Sequence, residues 1–152
     1  MQTTVTTMRI GELEHLGAAA AGTHVGRPVL LYSGSCRFCR WAARTVAALD
    51  RGQQLAILPL ADEEAGRLLD AVPESRRTES WWVVRCDGVP VASKRGAGIV
   101  LITEIRLTRP LGRGLRAIGL SRLVDALDAL VVRHRGRLSR LVPDGPAPRR
   151  YP

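Results

Sequence analysis

Val29-Leu30-Leu31-Tyr32-Ser33-Gly34-Ser35-Cys36-Arg37-Phe38-Cys39 joins three local signals in one short segment. Val29–Tyr32 is a continuous apolar run, the pattern of a strand buried on both faces. Gly26-Arg27-Pro28 punctuates its entry. Ser33-Gly34-Ser35 is a turn rich in residues that cap helices. Beyond it, Phe38, Ala42, Thr45, Val46 and Leu49 recur at helical spacing, which predicts a helix over 36–49 ended by Asp50-Arg51-Gly52. Cys36 and Cys39 therefore fall on a strand-to-helix turn, where a small disulfide can close and reopen.

The order of attack follows from where each thiol sits. Cys36 falls in the first turn, where unpaired backbone N–H groups point outward and favour a thiolate. Arg37, Arg40 and Arg44 add positive potential. Cys39, one turn further on, is the less exposed of the two. Cys36 is thus the expected nucleophile and Cys39 the resolving thiol. A stabilised thiolate also implies a pair more oxidising than thioredoxin, whose potential is about −270 mV. Such chemistry needs no cofactor. Two other readings of the pair stay open at this point. It could be half of a zinc site completed from Cys86, His15, His24 or His134, although none of these forms a second close pair. It could also be two structural cysteines on a buried helix face. Cys86 alone reads as a hairpin residue, and His134 as a capping or surface residue.

The flanking sequence extends the pattern. Leu55–Leu60 reads as a second strand. Asp62-Glu63-Glu64 opens a short helix that ends near Ala71, before Pro73, because acids favour a helix N-terminus. Ser75–Ser80 reads as a polar loop. Trp81–Arg85 and Val89–Ser93 form a hairpin about Cys86-Asp87-Gly88, since Asp-Gly is a strong turn signal. Gly98–Leu107 is open at this point, because its β-branched residues favour a strand. Leu120–Val132 is an amphipathic helix with Leu120, Leu123, Val124, Leu127, Leu130 and Val131 on one face. The predicted fold is α/β and thioredoxin-like: a central mixed β-sheet flanked by helices, with an extra C-terminal helix. Residues 1–26 are expected to form a flexible arm with a short helix near Ile10–Ala21. Residues 27–141 would form the domain, and 142–152 a basic disordered tail.

Composition narrows the function. The chain has 152 residues, enough for its own core, and a net charge of +9. Residues 105–152 carry 11 arginines against Asp125, Asp128 and Asp144, so the excess is C-terminal. That region could hold an acidic protein, a phosphate-bearing ligand or an anionic membrane surface. The arginines lack interleaved aromatics, which argues against nucleic acid. Arg106, Arg109, Arg113 and Arg116 would form one stripe if their segment is helical. No apolar run reaches the length of a membrane span, and no secretory leader is recognisable. Three cysteines are too few and too odd in number for a disulfide scaffold, so a reducing, cytoplasmic location is expected.

Tyr32-Ser33-Gly34-Ser35-Cys36-Arg37-Phe38-Cys39 resembles the signature of the thiol-disulfide oxidoreductase DCC family, which commonly reads Tyr-Asp-Gly-x-Cys-x-x-Cys after an apolar strand. The apolar-Pro-Leu ending of Leu55–Leu60, the Asp87-Gly88 hairpin, Gly96-Ala97 and the closing Val132–Arg140 are similar to later parts of that family. The resemblance covers about residues 28–141 and implies a thioredoxin-like fold with Gly98–Leu107 as a helix, a dithiol-disulfide activity and thiol or disulfide substrates. Ser33 stands where the family has Asp. It can cap a helix but cannot act as a base at neutral pH. Relative to thioredoxin, Leu30 replaces a buried acid and Ser80 replaces the proline before the third strand. Ser33, Ser35, Arg37, Arg40 and Ser80 are therefore the candidate supporting residues around Cys36 and Cys39. Trp41, Trp81 and Trp82 are candidates to cover the site, with core packing expected for at least two of them. The competing functional reading is a non-catalytic accessory module that docks an acidic partner through its Arg-rich face.

Overall fold

Val29–Tyr32 forms β1, and all four of its residues are buried. It is a central strand of a four-stranded sheet ordered β2-β1-β3-β4 in the computed structural model, which describes residues 26–93 and 97–151. β2 (Ala56–Pro59) runs parallel to β1, with Leu30 opposite Ile57. β3 (Trp82–Val84) runs antiparallel to β1, and β4 (Pro90–Ala92) antiparallel to β3. Between the strands lie α1 (Arg37–Leu49), α2 (Glu63–Leu68) and the single turn α3 (Glu74–Arg77). After the sheet come α4 (Ala97–Glu104), α5 (Arg109–Ala117) and α6 (Ser121–Leu138). This is the thioredoxin-like arrangement with an added C-terminal helix. The expected N-terminal arm, His15 and His24 lie outside the described residues, apart from Gly26 itself.

Successive strand residues face opposite sides of the sheet, and this divides the core in two. Val29, Leu31, Ala56, Leu58, Trp82 and Val84 pack with Ala65, Leu68, Leu69 and Val72 on the side of α2. Leu30, Tyr32, Ile57 and Val83 pack with Ala43 of α1, Ala97 of α4 and Ile105 on the other. α6 packs against α1 and α4. The helix over 97–104 overrides the strand preference of its β-branched residues, because it covers a sheet face that would otherwise be open. The expected loop at Ser75–Ser80 begins instead with α3, which Arg77 ties back by donating from Nε to the Val72 carbonyl at 2.8 Å.

α5 forms despite Pro110, which sits in the first turn where no intrahelical N–H partner is lost. The arginine stripe does not survive as one row. Arg106 precedes the helix, and Arg109 turns back to donate to the Thr103 carbonyl at 3.1 Å. α5 lies close to α4 because residue 112 is glycine. A Cβ there would meet Thr103 Cγ2 at 2.6 Å and the Thr103 backbone N at 3.1 Å, whereas one at Gly114 would meet nothing within 4 Å. Gly112→Ala is thus expected to destabilise by about 1–2 kcal/mol, the clash exceeding the gain in helix propensity. Gly114→Ala should stabilise by about 0.5–1 kcal/mol. Urea midpoints of the two variants check the opposite signs.

Two expectations need correction. α6 does not bury its leucine face. Val124 and Val131 are half-buried, but Leu120, Leu123, Leu127 and Leu130 are exposed. The inward side is set instead by polar contacts: Asp128 accepts from the Trp81 indole N–H at 2.9 Å, and Ser139, just past the helix end, accepts from the Phe38 N–H at 3.2 Å. The second correction concerns the tail. Residues 143–151 form a strap along the domain. Arg40 and Arg44 hold the carbonyls of Pro143, Gly145 and Pro146, and the Tyr32 hydroxyl donates to the Pro148 carbonyl at 2.7 Å. Arg150 then pairs with Ile57 through two backbone bonds of 2.7 Å, closing the open edge of β2. Its guanidinium caps the carboxylate of buried Asp50. Tyr151 packs on the core cluster beside α2.

Candidate functional site

The turn after β1 brings Cys36 to the N-cap of α1, in extended backbone conformation. A helix leaves its first N–H groups without intrahelical partners. Here the Cys36 sulfur accepts the Cys39 N–H at 3.3 Å, and Ser139 Oγ accepts the Phe38 N–H. A sulfur therefore does the work that an N-cap oxygen usually does. Ser33 and Ser35 do not cap the helix. Their hydroxyls pair with each other at 3.1 Å.

Ser139 and Arg135 enter the site from α6 and its end. Ser139 Oγ donates to the Arg135 carbonyl at 2.8 Å and lies 4.0 Å from Cys36 Sγ. These contacts split the two thiols. Burial opposes ionisation of Cys36. The Cys39 thiol, the Cys39 N–H, the Ser139 hydroxyl and the charge of Arg135 more than offset it, so the thiol is held below its ordinary value. Cys39 is pushed up to about 12 by burial first, then by its hydrogen bond to Cys36 and the negative charge there. Both are free thiols.

The arginines expected to activate Cys36 are mostly occupied elsewhere. Arg40 donates to the Gly34 carbonyl at 2.8 Å and pairs with Asp144 at 2.5 Å. Arg44 is engaged with the strap, and Arg37 is exposed. Arg135 acts on both sulfurs, and the charge of Cys36 also acts on Arg40. Arg135→Gln should therefore raise the Cys36 pKa and slow its alkylation at neutral pH by roughly three- to tenfold, with Arg135→Lys restoring much of the rate. Iodoacetamide kinetics on the reduced chain read this directly.

Beside Cys39 lies a mostly apolar cavity of about 190 Å³, lined in part by Phe38, Cys39, Val46, Trp81 and Val131. Ser33 and Ser80 also line it, as do Asp128 and Arg135. Trp81 lines the cavity and packs on the core, Trp82 is buried in the core, and Trp41 stacks at a tilt on Phe38 with centroids 5.6 Å apart. The Asp128 carboxyl titrates above its usual range because burial outweighs the Trp81 N–H and the Ser93 hydroxyl.

Cys86 stands apart, exposed at the hairpin turn. Burial of its sulfur, then the charges of Glu104 and Asp87, hold its thiol above its ordinary value. Among the described residues, no three His, Cys, Asp or Glu side chains gather as a metal site. No described helix is long and apolar enough to cross a membrane.

Sequence reasoning missed Ser139, Arg135 and Asp128 as site residues. Their positions, spaced seven and four residues apart, lie on one face of a helix, and that spacing was the available signal. No curated protein and no solved structure matches the chain significantly. A family model described as DCC1-like thiol-disulfide oxidoreductase matches residues 30–141, from the middle of β1 to just beyond α6. With the paired thiols at the head of α1 and most of the chain inside that match, the protein belongs to the DCC1-like thiol-disulfide oxidoreductase family.

Proposed function

We propose that the chain catalyses thiol–disulfide exchange, with Cys36 attacking and Cys39 resolving. The observation that carries this is the opposite displacement of the two thiols, Cys36 below its ordinary value and Cys39 far above it. The Cys36 thiolate attacks one sulfur of a substrate disulfide. A bond forms to that sulfur, the substrate S–S bond breaks, and the second sulfur leaves as a thiolate that takes up a proton. Cys39 then loses its proton and attacks Cys36, closing the Cys36–Cys39 disulfide and releasing the second substrate thiol. Two electrons pass from the dithiol to the substrate, and the reverse sequence oxidises a substrate dithiol.

The same contacts time the second step. Once Cys36 is in a mixed disulfide, its negative charge and its acceptor role toward the Cys39 thiol are gone. Two of the causes that hold Cys39 at about 12 then vanish, while Arg135 remains. Cys39 thus becomes more acidic at the stage when it must ionise. In the resting dithiol, the Cys39 thiol and N–H, the neighbouring Ser139 and the charge of Arg135 favour the Cys36 thiolate. A stabilised reduced form raises the potential, so the pair should titrate above about −270 mV, the thioredoxin value. The sparse cysteine content supports a reducing, cytoplasmic setting.

The test is to express Cys39→Ser and search for mixed disulfides by mass spectrometry. Adducts on Cys39→Ser that do not form on Cys36→Ser support the reading and identify the substrate. Equal adduct levels in the two variants would contradict it.

A further inference from the structure

Because α6 turns Asp128, Arg135 and Ser139 toward the site, its leucines face outward. Leu123, Leu127 and Leu130 are 51%, 54% and 53% exposed. Their i, i+4, i+7 spacing sets them in one line along the helix. On α5 and just after it, Leu111 and Ile118 are 59% and 69% exposed. A helix of a soluble domain normally buries such a line, and one left open marks a surface that meets something.

The charge beside this patch indicates what it meets. Arg122, Arg133 and Arg137 of α6 are exposed within about a quarter-turn of the leucine line, and Arg140 is exposed just past the helix end. Arg113 and Arg116 are exposed on α5. From residue 105 to 141 the only acids are Asp125 and Asp128, and each buries one carboxylate oxygen. The exposed charge of this face is therefore cationic. A second copy of the chain would bring arginine rows against arginine rows. A leucine line flanked by arginines suits a helix lying in an interface, its apolar side at the acyl boundary and its guanidinium groups at the level of the phosphates.

We propose that the outer face of α6 docks on an anionic phospholipid surface. The docking does not depend on the thiol chemistry, since none of these leucines or arginines lines the cavity beside Cys39.

Flotation of the full chain with vesicles tests it. Vesicles of phosphatidylcholine and phosphatidylglycerol in equal amounts should carry the protein up, and phosphatidylcholine alone should not. The paired substitution Leu123→Ser with Leu127→Ser should weaken binding to the anionic vesicles by roughly tenfold or more. Arg133→Gln with Arg137→Gln should weaken it by a similar factor, and so should high salt. All four positions are exposed, and an unchanged urea midpoint confirms that each variant is folded. The proposal is overturned if the unmodified chain ignores anionic vesicles, or if the leucine variant binds them as the unmodified chain does. It is also overturned if the leucines prove instead to hold a dimer or an acidic protein, seen as a complex in gel filtration that the leucine variant loses.

Discussion

Cys36→Ser should lose turnover of a disulfide substrate by on the order of a thousandfold or more, because no other described thiol is held below its ordinary value. Cys39→Ser should lose turnover comparably, but by a different route. Its Cys36 keeps the Cys39-position N–H, Ser139 and Arg135, so the first attack should persist and a mixed disulfide should accumulate. Single-turnover kinetics separate the two. A burst of one leaving thiol per chain is expected from Cys39→Ser and none from Cys36→Ser. Cys86→Ser should leave turnover intact, since Cys86 lies on the hairpin turn with its thiol held above the ordinary range.

The second large effect is on stability. Ending the chain at Val142 removes the strap, and with it both backbone bonds to Ile57 and the arginine that covers Asp50. Asp50 is buried and would keep only its bonds from the Gln54 and Leu55 N–H groups, at 3.0 and 2.9 Å. A typical hydrogen bond contributes about 1 kcal/mol, and leaving a buried charge without its partner costs more. The ordering entropy of the strap, recovered on its removal, offsets part of this. A net loss of about 3 kcal/mol is expected, read as a lower urea midpoint. The truncation also bares the edge of β2, so self-association should rise. Arg150→Ala alone should reproduce roughly half of the loss in stability, because the backbone pairing with Ile57 remains.

The sequence made the strand, turn and helix around Cys36 legible, and the Asp87-Gly88 hairpin too, because those elements obey local rules of apolar run, capping and turn chemistry. The orientation of α6 was not legible. Its leucine line promised burial, but the Trp81–Asp128 bond and the Ser139 cap on α1 fix the opposite side inward, and both partners lie far away in the chain. The strap was illegible for a related reason. A Pro-, Gly- and Arg-rich segment has no periodicity, and its order comes from Tyr32, Arg40, Arg44 and Ile57, about a hundred residues upstream. The same long-range packing made the sequence assign activation of Cys36 to the nearby arginines of α1. Arg40 and Arg44 hold the strap, and α6 brings up Arg135, whose charge acts on both sulfurs.

The central claim is that one sulfur is poised to attack and the other held back. Its most direct test is the alkylation rate of each cysteine in the reduced full chain as a function of pH, resolved by mass spectrometry. A thiol with a depressed pKa is more ionised at neutral pH and alkylates faster there. Cys36 should therefore reach half its maximal rate at a pH below that of an ordinary thiol, while Cys39 stays unreactive through the neutral range. Half-maximal reaction of Cys36 at or above the ordinary thiol value, or faster reaction of Cys39 than of Cys36, would contradict it.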